Sequence, residues 1–407
     1  MAIKTNKNIK KDFPWFKKNP GWIYLDNAAT SLKPKTMIET VVNFYEKWTA
    51  NPHNTDSNFT YHISEMIQDT RKKIAKLINA NVTEIIFTSG ATESLNVIAN
   101  GLKQWLKKDD EIILTNGEHT SNLLPWMQLA KEKQCKLVFA GELNQVPTEN
   151  DIIQKVNQKT RVIVFANISN LLGYELDAQK ISHQAKQKNS KVIIVCDATQ
   201  LLPHKLIDVK TTNIDFLVAS AHKMCGPTGV GMFYMKSIYF NKLIPLRLGG
   251  GMNNEVKHNH FTYANGYEKF EGGTPHTAGI IGWGAAIDYL NMIGWQHIHQ
   301  HDIMLKQYVN KQFQTLPNVK LVNPHSIYPV VTFTVNGLHS QDVANYLGHQ
   351  KIIVRSGLSC AKLAHYIIDE PAVVRASFWI YNKKQDVDKL VAALRKLKKQ
   401  DILKYVI

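Results

Sequence analysis

Short apolar runs recur through the first two thirds of the chain, separated by roughly 20 to 30 residues that often show helical spacing. The runs are rich in β-branched residues and nearly continuous in hydrophobicity, as in strands buried on both faces. Strands that alternate with helices predict an α/β fold with a mostly parallel seven-stranded sheet and helices on both faces. The predicted strands are residues 84–88, 111–115, 136–140, 161–166, 191–196, 216–219 and 231–236.

The last of these runs, 231–236, follows a tight loop with no intervening helix, which makes it a candidate for an antiparallel strand. Near the N-terminus, a small strand is predicted at 22–25. Helices are predicted at 35–48, at 63–78 and, after the first core strand, at 94–107.

Glycine-rich breaks at 249–251 and 272–275 end the regular alternation, and a helix of small residues follows at 278–294. We interpret that helix as the hinge to a smaller α+β domain. The predicted large domain is 21–296, and the small domain combines 1–20 with 297–407. Within the small domain, strands are predicted at 328–336 and 352–355, and the last helix has an apolar face at Val387, Leu390, Val391, Leu394 and Leu397.

The composition of the 407 residues, 44% hydrophobic and 20% charged, is that of an ordinary globular protein. No run of 18 apolar residues is present, so no membrane span is predicted. Residues 1–18 are polar and lysine-rich without the apolar segment of a secretory signal, and we expect a cytoplasmic protein. The four cysteines are widely spaced and form no C-x-x-C pair, which argues against a metal site and a disulfide framework.

The net charge of +16 is compatible with nucleic acid, an acidic partner or an anionic cofactor, and equally with a codon bias toward lysine. The densest basic runs lie at the two ends of the chain, and no basic groove is interleaved with aromatic residues. No nucleic-acid role is therefore predicted.

A lysine stands where a predicted buried strand meets a glycine-rich loop. The run 216–219 ends in Ser220-Ala221-His222-Lys223, and Gly226, Gly229 and Gly231 follow. In an open α/β sheet, ligands bind beyond the carboxyl ends of strands. A lysine that is desolvated there has a lowered pKa and becomes a usable nucleophile or base. The plain alternative is a solvated loop lysine.

Three further groups follow other predicted strands. Asp197 follows 191–196, where a buried carboxylate needs a cation such as a protonated pyridine nitrogen; the alternative is a helix N-cap. Thr92 opens a helix, which favours either a phosphate site or simple capping. His119 follows 111–115, where an imidazole could stack on a planar cofactor or have no role. Together with Lys223, these groups predict pyridoxal 5'-phosphate (PLP) at the carboxyl edge of the sheet.

Two residues of the C-terminal region are candidates for substrate chemistry. Cys360 lies in a small polar loop with Arg355 nearby, which would favour its nucleophilic thiolate form; the alternative is an incidental loop cysteine. Cys225 is a rival, but it lies within a tight loop two residues from Lys223. Arg375, which precedes a strand-like stretch, could bind a substrate carboxylate in bidentate fashion or form a surface salt bridge.

The sequence resembles the SufS-type cysteine desulfurases, which belong to the class V aminotransferase group of PLP enzymes. The resemblance covers nearly the whole chain. Its most specific segments are SAHKMCGPTGVG at 220–231 and FEGGTP at 270–275, and the assignment to a desulfurase depends on the loop cysteine in VRSGLSC at 354–360. The other matching segments are YLDNAAT at 24–30, FTSGATESLNVIAN at 87–100, GEHTSNLLPW at 117–126, ISNLLG at 168–173, DATQ at 197–200 and VRASFWIYN at 374–382.

The resemblance implies a type I PLP fold and a homodimer with the active site at the subunit interface. Lys223 would form the Schiff base and Cys360 would accept sulfur from L-cysteine, leaving a persulfide and L-alanine. The other roles that it implies are ring stacking by His119, cofactor-ring contacts from Asp197 and Gln200, phosphate binding by Thr92, Ser220, His222 and the second subunit's Thr274, and substrate binding by Asn170 and Arg375, with Arg355 beside them.

The sequence departs from the family pattern near the acceptor cysteine. Leu358 and Ser359 stand where relatives often have two histidines, and Gln341 stands where relatives that use a zinc-dependent acceptor have a histidine. The N-terminal loop reads His53-Asn54-Thr55, which also differs from the pattern. The sulfur acceptor, a SufU-like or SufE-like protein of iron–sulfur cluster assembly, therefore stays open.

Three alternatives to a desulfurase also stay open. They are a selenocysteine lyase or cysteine-sulfinate desulfinase, a transaminase of the same group, and a catalytically silent scaffold.

Overall fold

The computed structural model describes residues 9–53 and 56–402, so residues 1–8 of the predicted N-terminal arm and Asn54 and Thr55 of the departing loop lie outside the described residues. The strands are β1 Ile23–Tyr24, β2 Ile85–Thr88, β3 Glu111–Thr115, β4 Lys136–Ala140, β5 Thr160–Ala166, β6 Ile193–Asp197, β7 Phe216–Ser220, β8 Gly231–Met235, β9 Asn253–Lys257, β10 His260–Tyr263, β11 Val319–Leu321, β12 Val330–Val335, β13 Ile352–Ile353, β14 Arg355–Gly357 and β15 Val373–Ser377.

The α-helices of the described residues range from four to 21 residues in length. In chain order the helices are α1 Pro14–Lys18, α2 Lys35–Asn43, α3 Asn58–Ile78, α4 Ala91–Leu102, α5 Leu124–Lys133, α6 Glu149–Lys155, α7 Ala178–Lys188, α8 Val209–Thr212, α9 Thr277–Ile293, α10 Trp295–Phe313, α11 Ser340–His349, α12 Ala364–Ile368, α13 Lys384–Lys396 and α14 Lys399–Ile402.

The central sheet has seven strands in the order β2-β8-β7-β6-β5-β3-β4. Strands β3 to β7 pair in parallel, and β8 runs antiparallel to both β2 and β7. The predicted fold class is confirmed, including the antiparallel strand after the tight loop. All seven predicted strands occur, because each is an apolar run long enough to cross the buried sheet.

Both faces of this sheet are buried, and successive side chains of one strand enter different cores. On β3, Ile113 packs in the core on one face, whereas Ile112 and Leu114 pack in the core on the other. Helices cover each face, which leaves the edge at the carboxyl ends of the parallel strands as the open place for a ligand.

The smaller C-terminal region has its own antiparallel sheet in the order β11-β12-β15-β14, packed against α10, α11 and α13. The N-terminal strand β1 pairs in parallel with β13, and the residues after β1 hydrogen-bond to Ser377 of β15. The chain start is thereby joined to its last hundred residues. Among the described residues, no helix is long and apolar enough to cross a membrane.

Several predicted boundaries were wrong. Helix α3 begins at Asn58 and not at 63, because Ser57 forms a capping box with Thr60. Helix α4 begins at Ala91 and not at 94. Arg375 lies inside strand β15 and does not precede a strand. The hairpin β9–β10 was not predicted, because its strands are exposed and polar and carry no apolar run.

Candidate active site

A cavity of about 240 Å³ opens at the carboxyl ends of β5, β6 and β7, beside the N-terminus of α4. It brings together nearly all the residues singled out in the sequence. Thr274 is the exception, since it is exposed and does not line the cavity within this subunit. The predicted residues that line it are Thr92, His119, Asn170, Asp197, Gln200, Ser220, His222, Lys223, Arg355, Cys360 and Arg375.

Lys223 enters the cavity from a 3₁₀ turn that follows β7. Its Nζ donates to the carbonyl oxygens of Ala28, at 2.6 Å, and Ala29, at 3.3 Å. Burial lowers the pKa of Lys223 to about 7; the Arg375 guanidinium lowers it further, and the Asp197 carboxylate opposes the shift. A large fraction of the amine is therefore neutral near neutral pH, as a nucleophile or base requires.

Asp197 is the last residue of β6 and is buried. Its Oδ1 accepts a hydrogen bond from the backbone N–H of Thr199 at 2.9 Å. Among the described residues, no cationic side chain forms an ion pair with it, and the neighbouring Thr199 hydroxyl is buried without a partner. A buried carboxylate of this kind is stabilised by a cation placed in the cavity.

His119 lies just beyond β3, where it caps the short 3₁₀ helix Thr120–Asn122. Its Nδ1 accepts a hydrogen bond from the N–H of Ser121 at 3.1 Å, which requires that nitrogen to be unprotonated. Burial lowers the pKa of His119, and the nearby Lys223 and Arg375 act in the same direction against the Asp197 carboxylate. The imidazole is therefore a neutral, planar group at one wall of the cavity.

The N-terminus of α4 forms another wall. The N–H of Ala91 donates to the Ser220 hydroxyl at 2.8 Å, and the Thr92 and Ser121 hydroxyls lie 2.8 Å apart. Burial, together with the charges of Lys223 and Lys33, lowers the pKa of His222 to about 4. Hydroxyls and free helix N–H groups in one place form a site for an anion such as a phosphate.

Arg375 is buried and already holds a carboxylate. Its guanidinium donates to Oδ1 of Asp26 at 2.8 Å and to the carbonyl of Asn170 at 2.8 Å, while its Nε has no partner in the described part of the chain. The sequence did not single out Asp26, although it lies in the YLDNAAT segment. The sequence feature that could have identified Asp26 is a charged residue placed directly after a buried strand.

Cys360 lies in a loop with unusual backbone geometry, since Ser359 and Cys360 both have positive φ, 47° and 64°. The Asn170 amide donates to the carbonyl of Ser359 at 2.7 Å, and the N–H of Thr120 donates to the carbonyl of Cys360 at 2.7 Å. The loop is thus tethered beside His119, with the thiol half-buried at the cavity.

The rival cysteine is a poor nucleophile. Cys225 is fully buried, and burial raises the pKa of its thiol to about 12. Thiolate chemistry at neutral pH therefore favours Cys360 over Cys225.

Sequence reasoning also missed Glu118, the residue before His119. It is 1% exposed, and its two carboxyl oxygens accept from the Thr115 hydroxyl and the Asn122 amide, each at 2.6 Å. Burial raises its pKa to about 7, and the Asp197 carboxylate adds to the shift. Glu118 therefore keeps its proton at mildly acidic pH.

The chain matches one protein family over most of its length. Residues 23–390 match the family described as aminotransferase class-V. A protein of Ureaplasma parvum with the name "Probable cysteine desulfurase" is 48% identical over 97% of this chain and 98% of its own length. A "Cysteine desulfurase" of Serratia proteamaculans is 33% identical over 92% of this chain and 93% of its own.

Solved structures of similar shape carry the same name. The apo structure of a cysteine desulfurase from Thermococcus onnurineus has a TM-score of 0.92 at 32% identity, over 97% of this chain and 98% of that chain. The Escherichia coli cysteine desulfurase CsdA, in an S-sulfonic acid form, has a TM-score of 0.88 at 28% identity, over 98% and 99%.

Proposed function

The chain belongs to the class-V aminotransferase family, and we propose that it is a PLP-dependent cysteine desulfurase that converts L-cysteine to L-alanine and leaves a persulfide on Cys360. The observation that carries the proposal is that the Cys360 thiol and the Lys223 amine line one cavity. A transaminase needs no cysteine there. The names of the relatives support the same activity.

The residues of the cavity fit PLP. No cationic side chain in the described part of the chain forms an ion pair with the buried Asp197 carboxylate, and a protonated pyridine nitrogen would supply a cation there. The N-terminus of α4, with Thr92 and Ser220, suits a phosphate, and the Lys223 amine suits an aldehyde. His119 would lie against the ring and Gln200 beside it, with His222 near the phosphate and Thr274 supplied by a second subunit.

When bound, PLP withdraws electrons from the bonds at the substrate Cα and so makes the Cα proton acidic. Lys223 removes that proton at Nζ, because its lowered pKa leaves the amine free to accept it. Arg375 orients the substrate through its carboxylate, and Asn170 and Arg355 lie beside that position. Because His119 is neutral, it does not repel Lys223 once that lysine has accepted the proton and become cationic.

Cys360 then attacks the sulfur of the substrate. A bond forms between Sγ of Cys360 and the substrate sulfur while the bond from that sulfur to Cβ breaks, with the electron pair left on the carbon side. One proton delivered to Cβ and one returned to Cα complete alanine. The tethered loop holds the thiol at the cavity, which is the proximity that such a transfer requires.

The test is alanine and sulfide release from L-cysteine with a reductant, for the wild type and Cys360→Ala, after bound PLP is confirmed by absorbance. We expect the variant to keep PLP and lose sulfide release. Cys135→Ala, at another half-buried cysteine, is the matched control and should remain active. Equal activity of wild type and Cys360→Ala would instead favour a selenocysteine lyase or cysteine-sulfinate desulfinase.

We also propose that the enzyme is a SufS-type cytoplasmic homodimer that passes sulfur to an acceptor protein for iron–sulfur cluster assembly. Large exposed apolar side chains on α2, the turn after it and α3 support a second copy of the chain as their cover. The net charge of +16 suits an acidic SufU-like or SufE-like acceptor. The exposed residues are Ile38, Val42, Tyr45, Phe59 and Tyr61.

A further inference from the structure

A second, smaller cavity adjoins the active-site cavity and shares Ala28, Gln200 and Lys223 with it. It has room for about one water molecule. Several polar side chains face it, and a water in a protein interior needs two to four such partners. The lining residues are Asn27, Ala28, Gln200, Pro203, His204, Lys223, Val330, Ser377, Phe378 and Trp379.

The Ala28 carbonyl belongs to a residue that lines both cavities. It accepts hydrogen bonds from Nζ of Lys223, at 2.6 Å, and from the side-chain amide of Gln200, at 2.9 Å. The same amine therefore lines both the substrate cavity and the small cavity that adjoins it. A water in the small cavity would lie beside Nζ without entering the substrate's space.

One lining residue of the small cavity, His204, forms a buried pair of titratable groups with Asp302. Nδ1 of His204 lies 2.6 Å from Oδ2 of Asp302, which α10 supplies. Asp302 is fully buried, and its other oxygen has no partner among the described residues. No described residue hydrogen-bonds to Nε2 of His204 either, so that nitrogen is available to a water in the cavity.

The pair also reaches the outside of the protein. His204 is 8% exposed and lies in the turns that follow β6. The neighbouring Pro203 accepts a hydrogen bond from the Trp379 indole through its carbonyl oxygen. A bound substrate would occupy the larger cavity on one side of Lys223, whereas the small cavity, which His204 lines, lies outside that space.

From this arrangement we propose that His204, held by Asp302, and one water in the small cavity form a proton path between Nζ of Lys223 and solvent. The inference rests on the proposed function, since it concerns the proton that Lys223 takes from the substrate Cα. His204 acts through Lys223 and is a positioning and relay residue, with no contact to substrate.

The transfer is balanced at each step. The Lys223 ammonium gives a proton to the water, and the water gives one of its own protons to Nε2 of His204. The Asp302 carboxylate stabilises the imidazolium through Nδ1–H, and the imidazolium releases a proton to solvent. In the reverse direction the same path delivers a solvent proton to Lys223. No oxidant or other co-reactant is required.

The test follows the fate of the Cα hydrogen. Holoenzyme is given L-cysteine with deuterium at Cα, and mass spectrometry measures the deuterium retained in alanine. With the path intact, the label taken by Lys223 exchanges with water, and the wild type should retain little of it. His204→Asn keeps a group at the Nδ1 position for Asp302 but removes Nε2, and retention should rise at least twofold.

A second substitution, His204→Gln, places an amide near the Nε2 position but cannot shuttle a proton. Retention should rise here as well, whereas a purely structural histidine would be replaced by one amide or the other without a change in retention. Thermal unfolding and bound-PLP absorbance show whether each variant is folded and loaded.

A third variant leaves His204 untouched. Val330→Ile adds a methylene to the wall of the small cavity and excludes the water, so its retention should also rise. Val331→Ile adds the same group on the opposite face of β12 and is the control. Retention that is high in the wild type, or equal in the wild type and Val330→Ile, overturns the path. Absence of any alanine from the wild type would instead overturn the proposed function.

Discussion

Replacing Glu118 with glutamine should change the pH dependence of stability, because its folded-state pKa of about 7 lies above the ordinary value of 4.5. The folded protein binds this proton between those values, while the unfolded chain releases it. The free energy of unfolding therefore falls as pH rises through this window. Glu118→Gln has no such proton, so its stability relative to the wild type should rise over the same range.

The magnitude follows from the shift. One pKa unit corresponds to about 1.4 kcal/mol. Most of the stability that the raised pKa of Glu118 contributes is lost between pH 5 and pH 8. We expect the difference in unfolding free energy between Glu118→Gln and the wild type to grow by about 2.5 kcal/mol between these pH values. Loss of the hydrogen bond that the Asn122 amide donates adds a constant offset, since it does not titrate.

The assay is urea unfolding of both proteins without PLP, followed by fluorescence at pH 5, 6, 7 and 8. The difference between the two proteins matters, because the remaining titratable groups are shared and largely cancel. Glu142→Gln is the control, because it removes an exposed carboxyl and should give a flat difference. A flat difference for Glu118→Gln too would refute the reasoning that burial controls the charge of this carboxyl.

Three further predictions concern the site and its support. Because the pKa of Lys223 is about 7, the rate of PLP binding to the apoprotein, measured by stopped-flow absorbance, should rise about tenfold per pH unit below 7 and level off above it; a rise that continues to pH 9 would contradict this. Asp26→Ala should lower the free energy of unfolding in urea by about 3 kcal/mol, because it leaves a buried guanidinium unpaired, and Asp26→Asn should cost less. Gly231→Ala should lower stability by about 3 kcal/mol in thermal unfolding, since its Cβ would lie 2.4 Å from the Gly90 Cα, whereas Gly250→Ala meets no atom within 4 Å and should be neutral.

The strands of the central sheet could be predicted from sequence because burial on both faces leaves a local signal. The residues at the carboxyl ends of these strands could be assigned to one site, because parallel strands end at the same edge of the sheet. Partners from distant segments could not be predicted. Asp26 and Arg375 meet across 349 residues, and the acceptor for Lys223 is the Ala28 backbone carbonyl, which every residue type possesses. The role of Thr274 stays a prediction, because it depends on a contact between two subunits.

The pairing of the chain's beginning with its end has a consequence for biosynthesis. The N–H of Ala28 is held by the Ser377 hydroxyl, 349 residues later in the chain. At 5–20 residues per second, a ribosome needs roughly 20 to 70 seconds to synthesise the chain from the first of these positions to the second. The carbonyl that receives Lys223 is therefore fixed only when translation is nearly complete. Nascent and prematurely ended chains lack a finished catalytic centre, which keeps sulfur chemistry away from incomplete protein.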